Sequence, residues 1–144
     1  MFVGTYEPRL DEKGRLIFPA RFREDLANGL VIVKGQERCL YVLPYSQFEA
    51  LAGPVAAASM LSKEAREYQR VLLTSAHPDQ LDKQGRLVIP PHLRSYAGLR
   101  RELAVLGVGQ RLEIWDGPTW HSYLEVQEPR YADLSREEAL PGPM

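Results

Sequence analysis

Apolar and polar positions along the chain follow a pattern that repeats. "LVIVKGQ" (30–36) and "LAVLGVGQ" (103–110) are nearly continuous apolar runs, and each is followed by a second one, "CLYVL" (39–43) and "RLEIW" (111–115). Short apolar runs bounded by glycine and charge read as strands. Upstream of each pair stands a shorter apolar triplet, Leu16–Phe18 and Leu87–Ile89, through which a strand is also expected. Pro19 and Pro90 end those strands and suit the first turn of a helix. Short helices are expected over Pro19–Ala27, closed by Asn28-Gly29, and over Pro90–Ala97, closed by Gly98. Phe22 and Leu26, like Leu93 and Ala97, stand four apart and face the core. Amphipathic segments, "PYSQFEAL" (44–51) and "GPTWHSYL" (117–124), complete each unit of about 50 residues.

The repeat is closest around one short element. "LDEKGRLIFPARFR" begins at Leu10 and "LDKQGRLVIPPHLR" at Leu81. Asp11 and Arg15 flank three residues ending in Gly14, and Asp82 and Arg86 flank three ending in Gly85. A three-residue hairpin loop is commonly a type I turn followed by a left-handed residue, the place for glycine. Aspartate at the start of the turn bonds its backbone N–H groups. Two units of this size bury too little surface to be secure alone, so they are expected to share one core. Between them, 52–61 reads as a small-residue linker; Ser62 then caps a helix with Ala65, Tyr68 and Leu72 on one stripe. The final "LPGPM" is expected to be disordered.

Composition narrows the class. The 144 residues are 44% hydrophobic and 26% charged, as in an ordinary globular protein. No apolar run is long enough to span a bilayer, and the first ten residues lack a signal-peptide pattern. The lone cysteine, Cys39, excludes an intrachain disulfide, fits a reducing cytoplasm and reads as core. His77, His92 and His121 have no ligand spacing to one another or to Cys39, so neither metal nor cofactor is expected. "HPD" at 77–79 matches the tripeptide of J-domain cochaperones, but it leads into a strand rather than joining two helices. No phosphate loop, nucleophile elbow or dinucleotide signature is present, and the chain is not read as an enzyme or as a small-molecule binder.

Net charge is −1, but the cations gather in the duplicated segments. Arg9, Lys13, Arg15, Arg21 and Arg23 face only Asp11 and Glu12 in the first; Lys83, Arg86, Arg94, Arg100 and Arg101 face Asp82 alone in the second. Residues 125–144 carry five acids and two bases. A stable hairpin accounts for Asp11, Gly14 and Arg15 as a set. It does not account for Lys13 or Gln84 crowning each loop, or for Arg23 and Arg94 at a fixed distance beyond proline. Arginine reads guanine O6 and N7 bidentately, and glutamine reads adenine. Arg21, Arg23 and Arg94 are placed to hold phosphates beside such contacts. The candidate DNA-binding set is Asp11, Lys13, Gly14, Arg15, Arg21, Arg23, Asp82, Lys83, Gln84, Gly85, Arg86 and Arg94.

The doubled Asp-x-x-Gly-Arg, each followed by an apolar triplet and proline, resembles the MraZ family, tandem relatives of the AbrB/SpoVT swapped-hairpin barrel. The resemblance runs from Phe2 to about Leu124 and includes "GLVIVKG", "YQR" (68–70) and "LEIW" (112–115). It implies an α+β fold, a pseudo-two-fold β-barrel of two interleaved AbrB-like repeats with short flanking helices. The repeats would be 1–51 and 73–124, joined by a linker and helix over 52–72 and followed by an acidic, partly disordered tail, 125–144. It places the family's Asp-x-x-x-Arg motif at Asp11 and Arg15 and at Asp82 and Arg86. It implies a cytoplasmic, nucleoid-associated transcriptional regulator that binds short direct repeats of double-stranded DNA at the promoter of the division and cell-wall gene cluster. The protein would act as a ring-shaped homo-oligomer. The rival reading is a protein-interaction module of antitoxin type that uses the linker or the acidic tail.

Overall fold

The computed structural model describes residues 1–140 and Gly142. The fold is a mixed α+β structure in which the expected strands form and two more, at Phe2–Tyr6 and His77–Asp79, join them. In chain order the strands are β1 (Phe2–Tyr6), β2 (Arg15–Ile17), β3 (Leu30–Lys34), β4 (Leu40–Pro44), β5 (His77–Asp79), β6 (Arg86–Val88), β7 (Leu103–Gly109) and β8 (Leu112–Asp116). Six strands form one antiparallel sheet in the order β1-β7-β8-β4-β3-β5, and β2 and β6 form a separate two-stranded ribbon. The sheet therefore ends in two edges, β1 and β5, and does not close into a barrel.

Strand pairing interleaves the two halves of the chain. β1 pairs with β7, so that Phe2 lies opposite Gly109 and Tyr6 opposite Val105. β5 pairs with β3, and β2 pairs with β6. The centre of the sheet is the β4–β8 pair, with Leu40 opposite Ile114 and Val42 opposite Leu112.

The inner strands β3, β4, β7 and β8 are covered on both faces over most of their length, which is why they read as continuous apolar runs. On one face, Leu30, Ile32, Leu40, Val42, Leu103, Val105, Leu112 and Ile114 pack against the inner residues of the ribbon and against Phe22, Leu26 and Leu93. Those last three lie on or beside helices α1 (Ala20–Leu26) and α4 (Pro91–Tyr96). Both helices begin one residue later than the proline-led expectation, since Pro19 and Pro90 act as N-caps in extended conformation. On the other face, Val31 and Val33 meet Leu72 and Phe48 of helices α3 (Lys63–Ser75) and α2 (Tyr45–Ala56). Cys39, Ala104, Leu106 and Trp115 meet Trp120 and Tyr123 of helix α5 (Gly117–Asp133).

Two segments differ from the sequence expectation. The presumed linker 52–61 is helical as far as Ala56. Gln69 explains this: its Nε2 donates to the carbonyls of Val55 and Ala58 at 2.9 and 3.1 Å, satisfying the end of α2 from α3. In the acidic tail, α5 continues to Asp133 and a short helix α6 (Arg136–Ala139) follows, capped by the Ser135 hydroxyl. Of the "LPGPM" end, Pro141, Pro143 and Met144 lie outside the described residues. Ser62 caps α3 as expected, accepting from the Ala65 N–H at 3.2 Å. Cys39 is fully buried, and burial, with Glu113 nearby, pushes its thiol far above its ordinary value.

Candidate nucleic-acid interface

Each duplicated loop is organised by its aspartate. Asp11 Oδ1 accepts the backbone N–H groups of Lys13 and Arg15 at 2.9 and 2.8 Å, and its Oδ2 accepts Arg15 Nε at 2.7 Å. Asp82 does the same for Gln84 and Arg86, with both backbone bonds at 2.9 Å and the Nε bond at 2.6 Å. The necks close through Asp11 N–H to the Arg15 carbonyl and Asp82 N–H to the Arg86 carbonyl. Gly14 and Gly85 take φ of 76° and 77°, the left-handed region that the three-residue loop requires. Both carboxyls are held below the ordinary aspartate value, first by the backbone N–H of Arg15 or Arg86 and further by that arginine's side chain, which together outweigh the opposing effect of burial.

This geometry has a chemical consequence for Arg15 and Arg86. The aspartate takes the Nε, so each guanidinium is fixed in direction. Among the described residues neither arginine's Nη groups donate to the protein. Two free, coplanar donors on an oriented fork match the O6 and N7 pair of guanine.

The two loops are joined by the ribbon and by a reciprocal brace. The Ile89 N–H donates to the Gly14 carbonyl at 2.8 Å, and the Phe18 N–H donates to the Gly85 carbonyl at 2.9 Å. The Arg94 guanidinium lies over Gly14, and that of Arg23 lies over Gly85; a Cβ at either glycine would overlap it. Each loop is thus covered by an arginine from the other half of the chain. Arg23 Nε also donates to the Phe18 carbonyl at 2.6 Å, whereas Arg94 Nε is buried without a partner.

In the ribbon, Leu16 and Leu87 point inward and are buried. The outer face carries two cross-strand pairs, Arg15 opposite Val88 and Arg86 opposite Ile17. Two residues along a strand and one strand across put the Arg15 and Arg86 α-carbons roughly 8 Å apart.

All twelve residues singled out from the sequence therefore fall in the two loops, the ribbon or the helices beside it. Lys13, Lys83 and Gln84 are exposed at the loop tips. Arg21 is exposed on α1, stacked on Phe22 at 4.8 Å, with its Nη2 at 3.5 Å from the Thr5 carbonyl. Arg23 and Arg94 are half-buried over the glycines, a placement the sequence did not announce. Two more arginines, Arg100 and Arg101, line an open cleft with Leu10, Glu12 and Arg94 beside the first loop. Arg100 is tied to Asp116, the N-cap of α5, at 3.0 Å, and the Asp116 carboxyl is lowered because Arg100 and Thr119 outweigh the effect of its burial. Sequence reasoning also passed over Ile17 and Val88, although a strand period of two puts each on the same face as the arginine two residues before it.

Comparison with known proteins fits this duplicated architecture. A family described as "MraZ protein, putative antitoxin-like" matches the chain twice, over residues 1–71 and 72–139. A protein of Kineococcus radiotolerans named "Transcriptional regulator MraZ" is 56% identical over 142 residues, 99% of each chain. Proteins of the same name from Salinispora tropica and Paenarthrobacter aurescens are 55% and 53% identical, again over 99% of each chain. With both copies of the loop inside the matched regions and relatives aligned nearly end to end, the chain belongs to the MraZ family.

Proposed function

We propose that this protein is a DNA-binding transcriptional regulator and not an enzyme, reading double-stranded DNA through the two Asp-x-x-Gly-Arg loops. The observation that carries the reading is the pair of oriented guanidinium groups of Arg15 and Arg86, each with Nε held by aspartate and with Nη groups that donate to none of the described residues. A two-stranded ribbon fits the major groove, and a separation of roughly 8 Å spans about two base-pair steps. Lys13, Lys83 and Gln84 extend the contact at the tips, and Arg21 with the outer edges of Arg23 and Arg94 meets phosphates. The names of the relatives support regulation of transcription.

The finer reading follows the family resemblance. The two halves act as AbrB-like repeats, 1–51 and 73–124, joined by 52–72 and followed by the tail 125–144. The target is a set of short direct repeats at the promoter of the division and cell-wall gene cluster, and the setting is cytoplasmic and nucleoid-associated. Among the described residues no helix is long and apolar enough to cross a membrane. One chain offers only two loops, so tight binding calls for several chains acting together. A head-to-tail contact that closes gives a ring. Tyr68 and Val71 on α3, and Val126 and Tyr131 on the outer half of α5, are exposed and supply apolar surface for it. That same surface on α5 favours the rival reading, an antitoxin-type module that binds a partner protein.

A salt-dependent titration against DNA upstream of the protein's own gene tests the proposal. Arg15→Ala and Arg86→Ala should each lose about 1–3 kcal/mol of specific binding. Arg21→Ala should weaken all sequences alike and flatten the salt slope. Unchanged binding by both loop variants would overturn the reading and leave the interaction module.

A further inference from the structure

We infer that Ile17 and Val88 are specificity residues that read the 5-methyl groups of thymines beside the guanines held by Arg15 and Arg86. The inference rests on the DNA-binding reading and adds to it an apolar half that the charged loops do not supply.

Ile17 and Val88 are 46% and 50% exposed although they sit in a ribbon whose other face is fully buried. A single exposed aliphatic side chain is ordinary and calls for no explanation. Here two occupy the same outward position in the two copies, "RLI" and "RLV". Each lies directly across the ribbon from an arginine of the opposite strand, Ile17 from Arg86 and Val88 from Arg15. Directly opposed side chains stand about 5 Å apart at Cβ. The outer face is therefore a small two-by-two array in which cation and aliphatic group alternate.

The occupant of that array is selected by its charge. A second copy presenting the same face would set arginine against arginine, which is unfavourable. Asp11 and Asp82 are already engaged by Arg15 and Arg86, so no free carboxylate lies within the array to attract a basic partner. The major groove offers both complements at the needed spacing. Guanine presents O6 and N7 as acceptors, and thymine presents its methyl group as an apolar knob. With the arginine forks set on guanine, the aliphatic side chains fall within one or two base-pair steps of them, on the 3.4 Å spacing of the duplex. Burying a methyl-sized group there favours thymine over a base that lacks the methyl by roughly fourfold per contact.

Deoxyuridine is thymidine without the methyl, with its hydrogen-bonding edge unchanged, and it provides the test. A duplex that the wild-type protein selects from a random-sequence DNA pool is rebuilt with uracil for thymine, first throughout and then at single positions. Binding of the wild type, Ile17→Ala and Val88→Ala is measured on the thymine and uracil duplexes. The wild type should bind the fully substituted duplex several-fold more weakly, and the loss should map to one or two positions near guanines. Each alanine variant should weaken binding to the thymine duplex and abolish the thymine–uracil difference at its own position. Ile17→Val, which keeps a branched aliphatic group, should retain that difference. Both sites are exposed, so the alanine variants should melt close to the wild type, and thermal unfolding confirms that they are folded. Equal wild-type binding to both duplexes, or a full difference retained by both alanine variants, overturns the inference while leaving the arginine reading in place. A protein that enriches no sequence and binds no duplex overturns both.

Discussion

The loop at Asp11–Arg15 and the loop at Asp82–Arg86 share every hydrogen bond that shapes them, yet their surroundings differ. The first carries Glu12 and Lys13 at its tip, the second Lys83 and Gln84. The first is braced by Arg94, whose buried Nε has no acceptor; the second by Arg23, whose Nε reaches the Phe18 carbonyl. The matching carbonyl for Arg94, that of Ile89, is not used. The two copies share what a hairpin needs in order to form and differ in the loop-tip side chains and in how the brace is bonded. The two ends of the ribbon are alike in shape and unlike in both bracing and surface chemistry.

The first way to break this comparison is to attack what the two halves share. Leu16 and Leu87 fill one common core, so Leu16→Ala and Leu87→Ala should each cost about 2–5 kcal/mol in chemical denaturation. The transition should stay single, since neither half owns its core. Two separable transitions would mean that the halves unfold independently. Next come the glycines. Gly14→Val and Gly85→Val should each cost about 1–3 kcal/mol, because a β-branched residue resists positive φ. Overlap with the bracing arginine adds to that cost. Equal losses at the two sites would show that the braces yield equally.

The braces themselves sharpen the contrast. Arg23→Met removes a satisfied, charge-assisted bond and should cost about 1–2 kcal/mol more than Arg94→Met. Arg94→Met removes a buried donor that has no partner, and the melting temperature should hardly fall. The reverse order would show that the two braces are not distinguished by their hydrogen bonding. The smallest effect is in pH. The Asp11 and Asp82 carboxyls are lower in the folded protein than the ordinary value of 3.8. Their contribution is therefore fully present above that value and is lost as pH falls through the depressed folded values. Melting temperature should drop over that acid window. The double variant Asp11→Asn, Asp82→Asn should be less stable than the wild type near neutrality and should converge on it in acid.

Much of this was legible in the sequence because it is local. The glycine and aspartate of each loop, the short strand that follows it and the Ser62 cap are written within a few residues of where they act. The continuous apolar runs correctly marked the inner strands of the sheet. What was not legible is partner choice. Nothing in "FVGTY" says that it pairs with "LAVLGVG" rather than with a neighbour in its own half, so the open sheet with its two edges could not be told from a closed barrel. Gly53 and Pro54 read as helix breakers, but α2 runs through them because Val55 packs under the sheet and Gln69 caps the helix from another element. The brace was hidden for the same reason: nothing local to Arg23 or Arg94 says that the fold lays each across the opposite loop. The outward side chains of Ile17 and Val88 were not read from the sequence, and their pairing with arginines required the register.

The crossing of strands between halves also governs how the chain is made. Phe2 leaves the ribosome 107 residues ahead of its partner Gly109. At about 5–20 residues per second, β1 waits some 5–20 s for β7 to emerge. During that interval the nascent first half holds an unpaired strand and an unpaired ribbon segment, with Leu16 and Phe18 uncovered. Contacts of such long sequence separation are slow to form even in a complete chain. Synthesis of this protein therefore includes a window in which its apolar face is available to chaperones, or to the first half of another chain on the same message.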